Sequence, residues 1–290
     1  MKTKLSDIII GCMSWGIWGK NFSTKEMTDL IHFCVEEGNI TFDHADIYGG
    51  YTTEAAFGKA FAESGIEREQ VQLISKCGIQ YITEERPDNR VKFYDYSKEY
   101  IIWSVEQSLK NLKTDYLDVL LLHRPSPLMQ SEEINEAVVK LQEEGKIIDF
   151  GVSNFTASQM ELLKKKTPLT CNQLEFSLVQ NSAIDQGTLD YLIKEDMKVM
   201  SWSPLGGFFG LETEQAERVQ QVLKPMCEKY NATSDQLLLA WILKHPCNVA
   251  PVIGTSNKER IKMSNQALQI NLDLQDWFVL YEASRGHKVA

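Results

Sequence analysis

Short apolar runs alternate along the chain with longer segments in which apolar residues recur at helical spacing. Eight of the runs predict β-strands, at residues 8–13, 40–42, 71–75, 116–122, 147–152, 171–174, 197–202 and 249–253. Helices are predicted between and after them, at residues 24–37, 53–64, 97–112, 132–144, 157–166, 189–195, 215–230, 234–244, 258–268 and 274–284. In the first helix Met27, Leu30, Ile31 and Cys34 share one face, and Gly38 is typical of a residue that ends a helix.

This regular alternation predicts the fold class. Repeated βα units imply parallel strands joined by right-handed crossovers, and eight units in about 250 residues are typical of a closed (β/α)8 barrel, the TIM barrel of the α/β class. The alternative is an open doubly wound sheet, but residues 11–19 lack the G-x-G-x-x-G turn that usually follows its first strand. Since no linker or repeat interrupts the pattern, we expect a single domain over residues 1–290, with residues 80–95 as a long loop at one mouth of the barrel.

Composition and charge argue against several classes of function. Asp and Glu outnumber Lys and Arg by 40 to 30, and the net charge of −10 argues against a protein that binds nucleic acid through its phosphates. The six cysteines include no C-x-x-C pair, so we expect neither a redox dithiol nor a bound metal. Because no apolar run reaches 18 residues and no signal-peptide core follows the N-terminus, we expect a cytoplasmic protein with no membrane partner.

Polar residues at the ends of consecutive predicted strands are the first candidates for chemistry. Asp43, Lys76 and His123 follow the second, third and fourth strands, and in a barrel the carboxyl ends of the strands form the active-site mouth. Each residue alone is as easily a turn residue, a solvated strand end or a structural histidine, so it is their joint occurrence that favours a site.

Tyr48 follows Asp43 by five residues and adds an acid to this group. Lys76, held in place by Asp43, would lower the pKa of Tyr48 from its usual value near 10. Tyr48 could then donate a proton to a carbonyl oxygen that His123 also binds. Such a site contains no nucleophile and no metal, and it requires an external source of hydride.

Eight short motifs occur in order along nearly the whole chain. They are F-D-H-A-D-I-Y-G (42–49), E-A-A-F-G (54–58), L-I-S-K (73–76), D-V-L-L-L-H-R-P (118–125), G-V-S-N-F (151–155), N-Q-L-E (172–175), S-W-S-P-L-G-G (201–207) and I-G-T-S-N-K-E-R (253–260). Together they resemble the aldo-keto reductase family. The stretches G-C-M-S-W-G (11–16) and D-H-A-D-I-Y-G-G-Y (43–51) are most similar to an uncharacterised bacterial branch of that family.

The resemblance implies a barrel that binds NADPH in an extended form across its C-terminal mouth, and a monomer. It implies a catalytic tetrad of Asp43, Tyr48, Lys76 and His123. The implied cofactor contacts are Ser153, Asn154 and Gln173 for the nicotinamide amide, Trp202 for the nicotinamide ring, Ser203, Leu205 and Gly206 for the pyrophosphate, and Gly254, Thr255 and Arg260 for the 2′-phosphate.

Two departures from the family pattern concern the adenosine end of the cofactor. Gly254 stands where many relatives have a Lys or Arg as the main partner of the 2′-phosphate, which removes a charge-assisted contact worth about 1.5–3 kcal/mol. Arg260 is still present, so NADPH is favoured and NADH is an alternative cofactor. Met263 and Ser264 stand where relatives often have an acidic residue and an Asn that bind adenine, and Asn265 comes one place late. No adenine contact is therefore assigned.

Substrate contacts are expected from large side chains on the predicted mouth loops. The candidates are Trp15, Trp18, Tyr51, Tyr94, Arg124 and Phe208. An apolar pocket of this kind suits aromatic or aliphatic carbonyl compounds, although simple packing between loops explains each residue equally well. Arg124 would favour a substrate with a carboxylate, unless it forms a salt bridge with a neighbouring loop.

The sequence thus predicts an NADPH-dependent reductase that transfers a hydride to a small-molecule aldehyde or ketone. One alternative is a Schiff-base aldolase with Lys76 as nucleophile, which needs a lowered pKa for Lys76, whereas a neighbouring Asp43 would raise it. Another alternative is a non-enzymatic NADPH-binding sensor or regulatory subunit, which an intact tetrad does not exclude.

Overall fold

Eight parallel strands close into a barrel in the computed structural model, which describes residues 1–290. The strands of the chain are β1 (Ile9–Gly11), β2 (Thr41–Asp43), β3 (Gln72–Cys77), β4 (Ile79–Gln80), β5 (Phe93–Tyr94), β6 (Leu117–Leu122), β7 (Ile147–Ser153), β8 (Cys171–Glu175), β9 (Lys198–Trp202) and β10 (Val249–Ile253). Around the barrel the order is β1-β10-β9-β8-β7-β6-β3-β2, and β1 pairs with both β10 and β2, which closes the sheet. The predicted (β/α)8 barrel is confirmed.

Helices follow the barrel strands as the sequence predicted. They are α1 (Thr24–Glu36), α2 (Thr53–Ser64), α3 (Lys98–Leu112), α4 (Ser131–Glu143), α5 (Ala157–Lys164), α6 (Ser182–Asp185), α7 (Thr188–Lys194), α8 (Glu214–Tyr230), α9 (Ser234–Leu243), α10 (Lys258–Gln266) and α11 (Leu274–Arg285). Only α6 was not predicted, because a single turn is too short to display a helical period. None of the helices combines the length and the apolar character that crossing a lipid bilayer requires.

The long loop expected at the barrel mouth contains a short antiparallel hairpin, formed by β4 and β5. Ile79 pairs with Tyr94 in this hairpin. Strands of two residues show no alternation in the sequence, so they were not predicted. The guanidinium of Arg86 lies between the rings of Tyr51 and Trp103, 4.6 and 4.5 Å from their centroids, which ties the hairpin segment to α3 and to the loop before α2.

Alternate strand residues fill the inside of the barrel. This inner cluster consists of Leu5, Ile9, Ile74, Val119, Leu121, Cys171, Met200, Ala250 and Val252. Their strand neighbours, such as Leu73 and Leu120, belong instead to the large cluster of 58 buried residues that packs the barrel against the helices. Because strand side chains alternate between two faces, the inner cluster indicates which residues at the strand ends point into the mouth.

A buried acid lies in the loop after β2, at Asp46. Its Oδ2 accepts hydrogen bonds from the Ser104 hydroxyl at 3.1 Å and the Tyr100 hydroxyl at 3.4 Å, whereas Oδ1 has no donor. Burial, reinforced by the nearby carboxyl of Glu54, raises the pKa of Asp46 from its ordinary value of 3.8 to about 7. The folded protein therefore binds this proton more tightly than the unfolded chain does, so its stability falls as the pH rises from about 4 to about 7.

We expect Asp46→Asn to raise the free energy of unfolding at pH 8, because the amide keeps the shape of the side chain without the buried charge. A rise in pKa from 3.8 to about 7 corresponds to a gain in the free energy of unfolding of up to about 4 kcal/mol at pH 8. The gain shrinks toward zero near pH 4, where the acid is protonated in the folded protein. Urea unfolding of both proteins at pH 4, 6 and 8 measures it. Asp88→Asn, at an exposed site, is the matched control, and equal stability of Asp46→Asn and wild type at pH 8 would contradict the prediction.

Candidate active site

The inward-facing row of the barrel ends in polar side chains at the carboxyl ends of the strands. Lys76, His123 and Gln173 each follow a residue of the inner cluster by two positions, so strand alternation directs all three into the mouth. Asp43 ends β2, and Tyr48 lies in the loop after it. The structure therefore brings together the four residues that the sequence proposed as a tetrad.

The Lys76 ammonium group is the centre of this arrangement, and its side chain has no exposed surface. Its Nζ donates to Asp43 Oδ2 at 2.8 Å, to the His44 carbonyl oxygen at 2.7 Å and to Tyr48 Oη at 3.1 Å. Three N–H donors thus meet three acceptors, and the buried cation is fully satisfied. On the other side of the carboxylate, Gln173 Nε2 donates to Asp43 Oδ1 at 2.9 Å.

Burial and charge act together on the pKa values of Lys76 and Tyr48. Burial lowers the pKa of Lys76, but Asp43 and Tyr48 together raise it by more, so the net pKa is above its ordinary value. For Tyr48 burial raises the pKa and outweighs the lowering by Lys76. The predicted net lowering of the Tyr48 pKa is therefore wrong, because removal of the phenol from water costs more than the nearby cation returns. Tyr48 is a neutral phenol at neutral pH.

His123 is also uncharged. Burial lowers the pKa of its imidazole well below the ordinary value, and the positive charges of Lys76, Arg124 and Lys92 lower it further. Its ring meets that of Tyr48 edge to face, with centroids 6.0 Å apart, and its Nδ1 has no hydrogen-bond partner in the protein. A neutral imidazole carries one donor nitrogen, so His123 can bind an oxygen by a hydrogen bond but cannot supply a proton at neutral pH.

These side chains border a cavity of about 330 Å³ at the mouth of the barrel. Its lining residues are Gly11, Met13, Ser14, Asp43, Tyr48, His123, Arg124, Ser153, Asn154, Gln173, Trp202, Ser203, Val252 and Gly254. The four residues proposed for the nicotinamide are among them. Met13 and Ser14 were not predicted, although the G-C-M-S-W-G stretch directly after the first strand was a signal for them.

The polar side chains on the nicotinamide side form a connected set. Trp202 Nε1 donates to Asn154 Oδ1 at 2.9 Å, and Asn154 Nδ2 donates to Ser153 Oγ at 2.7 Å. The Ser153 hydroxyl hydrogen and the Gln173 oxygen Oε1 are among the groups that have no protein partner. One donor and one acceptor at the same wall fit a carboxamide, so the residues present suit a nicotinamide cofactor.

The segment after β9 is a tight turn that lies close to the residues following β8. Ser203 and Gly206 both have positive φ, at +48° and +57°, and the Gly206 N–H donates to the Ser203 carbonyl at 2.7 Å. A Cβ at Gly206 would clash with Ser177 and Val179, so only glycine fits there. Leu205, between them, is half-buried. The glycine therefore lets the turn pack closely against the segment after β8.

The segment after β10 is open to solvent. A Cβ at Gly254 would meet no atom within 4 Å, and Thr255 beyond it is half-buried. Helix α10 begins shortly afterwards, and Arg260 lies exposed in its first turns without a carboxylate partner. Asn265, considered above for adenine, is committed elsewhere, because its amide and that of Asn39 donate to each other at 2.8 and 2.9 Å.

The candidate substrate residues divide into two groups. Arg124 lines the cavity, and the exposed ring of Trp18 lies 6.5 Å from that of Tyr48, with Tyr81 next to it at 6.4 Å. Tyr81 was not predicted, although it lies in the same predicted mouth loop as the candidate Tyr94. Trp15 does not reach the cavity, because its fully buried ring packs between Phe22, Phe42 and Phe57.

The other three candidates serve packing or tie loops together. The Tyr51 hydroxyl donates to the Ile79 carbonyl at 3.1 Å, which holds the hairpin. Tyr94 is a half-buried residue of β5, and it packs against the small cluster that contains Ile79. Phe208 is buried in the large core. None of the three borders the cavity.

Comparisons with known proteins agree with this fold. The model of the aldo/keto reductase family matches residues 7–284. The chain is 40% identical to an uncharacterised oxidoreductase of Bacillus subtilis, YcsN, over 99% of this chain and 96% of that protein. It is 37% identical to a 6-dehydroglucose reductase of Agrobacterium fabrum, over 100% of this chain and 97% of that protein.

A solved structure resembles the whole fold. The thermostable aldo-keto reductase Tm1743, crystallised with the inhibitor epalrestat, superposes with a TM-score of 0.83 at 26% identity, over 98% of this chain and 97% of that one. Family model, sequence relatives and fold all agree. The chain therefore belongs to the aldo/keto reductase family, and it is an NAD(P)H-dependent oxidoreductase.

Proposed function

We propose that the protein reduces small aldehydes or ketones to alcohols with NADPH, and that Tyr48 is the proton donor. The observation that carries this proposal is the hydrogen bond from the buried Lys76 ammonium to Tyr48 Oη, at 3.1 Å. Because Tyr48 accepts from Lys76 through its oxygen, its own hydroxyl hydrogen is left for another acceptor in the cavity. A carbonyl oxygen is the acceptor that this arrangement suits.

The surroundings of Tyr48 keep it protonated before the reaction and stabilise the tyrosinate that forms when the proton is transferred. The raised pKa of Tyr48 keeps the proton in place before reaction. When the proton leaves, the tyrosinate forms beside a cation that is already oriented, so no reorganisation is required. Lys76 in turn cannot drift, because Asp43 and the His44 carbonyl hold its other two hydrogens.

His123 has the complementary role of orienting the carbonyl. It borders the same cavity as Tyr48, and its lowered pKa keeps it neutral, so it binds the oxygen without competing as an acid. NADPH, when bound, would supply the hydride. Ser153 and Gln173 would hold its amide, Asn154 would keep Ser153 and Trp202 in place, and the turn at Ser203, Leu205 and Gly206 would accept its pyrophosphate.

Preference for NADPH over NADH rests on the far end of the cofactor site. Gly254, Thr255 and Arg260 would surround the 2′-phosphate, and the Arg260 guanidinium has no carboxylate partner that would compete for it. A guanidinium binds phosphate through two parallel hydrogen bonds. With no Lys or Arg at position 254, a single arginine carries this preference, and NADH is a secondary cofactor.

The aldolase alternative is disfavoured by the state of Lys76. A Schiff-base nucleophile must be a neutral amine, whereas Asp43 and Tyr48 raise the pKa of Lys76 and all three of its N–H groups are engaged. The relative named for reduction of 6-dehydroglucose supports a reductase that acts on small carbonyl compounds.

The first test is the loss of NADPH absorbance with a panel of carbonyl compounds, from nitrobenzaldehyde to methylglyoxal. We expect oxidation of NADPH that depends on both enzyme and carbonyl. Absence of oxidation in a folded protein that binds NADPH would overturn the proposal and favour a sensor that binds the cofactor without turnover.

We expect Tyr48→Phe to lower kcat by about 100- to 10,000-fold, since it removes the proton donor and leaves the cavity shape intact. The affinity for NADPH, measured by quenching of tryptophan fluorescence, should stay within about twofold of wild type because the proposed cofactor contacts are unchanged. Tyr94→Phe removes the same hydroxyl from outside the cavity and serves as control. Turnover of Tyr48→Phe at the wild-type rate would refute the assignment.

We expect Gly254→Lys to shift the ratio of NADH to NADPH dissociation constants toward NADPH by about 10- to 100-fold, as a new charge-assisted contact would. The substitution is sterically free, because a Cβ at Gly254 meets no atom within 4 Å. Gly210→Lys places the same charge at another open glycine and should leave the ratio unchanged. An unaltered ratio in Gly254→Lys would mean that the 2′-phosphate lies elsewhere.

A further inference from the structure

Arg124 is a cation in the catalytic cavity whose guanidinium forms neither a hydrogen bond nor an ion pair within the protein. It lines the cavity beside His123, and its side chain is half-buried. Arg68, Arg218 and Arg285 each form an ion pair with a carboxylate, whereas no carboxylate lies within 4.0 Å of the Arg124 guanidinium. A guanidinium has five N–H donors. None of those on Arg124 is hydrogen-bonded to the protein, so the salt bridge to a neighbouring loop is absent.

The position of Arg124 is nevertheless fixed. The buried Tyr96 hydroxyl donates to the Arg124 carbonyl oxygen at 2.5 Å and accepts from the Arg124 N–H at 3.1 Å. The guanidinium carbon lies 5.4 Å from the centroid of the Trp202 ring, within cation–π distance. A cationic group that is held at its backbone and supported on an aromatic face is prepared to bind a ligand with little loss of entropy.

The charge of the cavity is positive even though the chain carries a net charge of −10. Asp43 is the one acidic residue in the lining, and the ammonium of Lys76 neutralises it. Arg124 is therefore uncompensated. A partly desolvated cation without a counter-ion favours an anionic ligand.

The backbone of Arg124 lies across the barrel from the strand that leads to the proposed 2′-phosphate contacts. It follows β6 by two residues, directly after His123. In the strand order β6 lies opposite β10, which leads to Gly254 and Thr255, and three strands from β9, which leads to the turn at Gly206. The Arg124 guanidinium reaches the Trp202 ring at the end of β9, so the separation holds for the proposed 2′-phosphate contacts after β10, and we expect the anion that it binds to be part of the substrate.

We propose that Arg124 binds a carboxylate on the substrate, so that the preferred substrates are aldehydes or ketones that carry one carboxylate group; this rests on the reductase proposed above. The planar guanidinium matches a carboxylate through two parallel hydrogen bonds. A single uncompensated guanidinium in the lining matches one negative charge better than the nearly two charges of a phosphate monoester.

Paired substrates that differ in charge and little in shape test this. The pairs are 4-formylbenzoate against 4-formylbenzamide, and 4-oxobutanoate against 4-oxobutanamide, with glyceraldehyde 3-phosphate against glyceraldehyde as the phosphate arm. For wild type we expect kcat/KM to favour the carboxylate of at least one pair by about 10- to 100-fold, the size of a bidentate charge-assisted contact, mainly through KM.

Arg124→Gln should bring this ratio close to one, and Arg124→Lys, which keeps the charge but loses the two parallel hydrogen bonds, should give an intermediate ratio. Arg90→Gln removes a positive charge from an exposed site and should keep the wild-type ratio. An equal ratio in wild type and Arg124→Gln would overturn the proposal, and so would a preference for the phosphate over the carboxylate. Arg124→Lys keeps the test decisive if Arg124→Gln does not fold.

A binding measurement separates this proposal from that of the reductase. Calorimetric titration with benzoate and benzamide, with and without NADPH, should show tighter binding of benzoate, lost in Arg124→Gln and weakened by salt. Benzoate binding of this kind without reduction of any carbonyl would retain the anion site and refute the reductase. Reduction of neutral aldehydes without a preference for benzoate or for the carboxylate substrates would retain the reductase and refute the anion site.

Discussion

The buried charge of Lys76 is the constraint on which the site depends. Removal of an ammonium and a carboxylate from water is costly, and their attraction repays the cost only when the remaining donors and acceptors are also satisfied. Lys76 meets this condition by donating hydrogen bonds to three acceptors at or just after the end of β2: Asp43, the His44 carbonyl and Tyr48. The same hydrogen bonds that satisfy the ammonium therefore shape the loop after β2 and set the position of the phenol.

The arrangement also sorts the titratable groups by protonation state. Burial keeps Tyr48 and His123 neutral, whereas Lys76 stays charged because its partners outweigh its burial. A neutral acid, a neutral hydrogen-bond donor and a fixed cation thus share one small space. These states suit the reduction of a carbonyl oxygen, where a proton is delivered and negative charge appears for a moment on the donor.

The fold and the location of the candidate site could be predicted from the sequence, because the barrel repeats the same strand–helix unit eight times. Strand alternation and the βα pattern were sufficient for the fold, and polar residues at or just after the strand ends mark the mouth, as Lys76 and His123 illustrate. The sequence could not provide the net sign of a pKa shift or the direction in which a loop side chain points. The sign of the Tyr48 pKa shift depends on how much water is removed, which no motif records. Trp15 lies in a mouth loop but turns into the core, because three phenylalanines receive it.

Gln173 links two parts of the site that need not have been connected. Its Nε2 donates to Asp43, while its Oε1 is the acceptor that we propose for the cofactor amide. A substitution at Gln173 would change the proposed binding of the cofactor amide. Through Asp43 it would also change the positions of Lys76 and Tyr48. Mutational effects at Gln173, Asp43 and Lys76 are therefore not additive, since residues in one hydrogen-bond network share their interaction energies. Non-additivity of this kind would couple the proposed affinity for the cofactor to the acid strength of Tyr48, whereas Arg124 shares no side-chain hydrogen bond with this network.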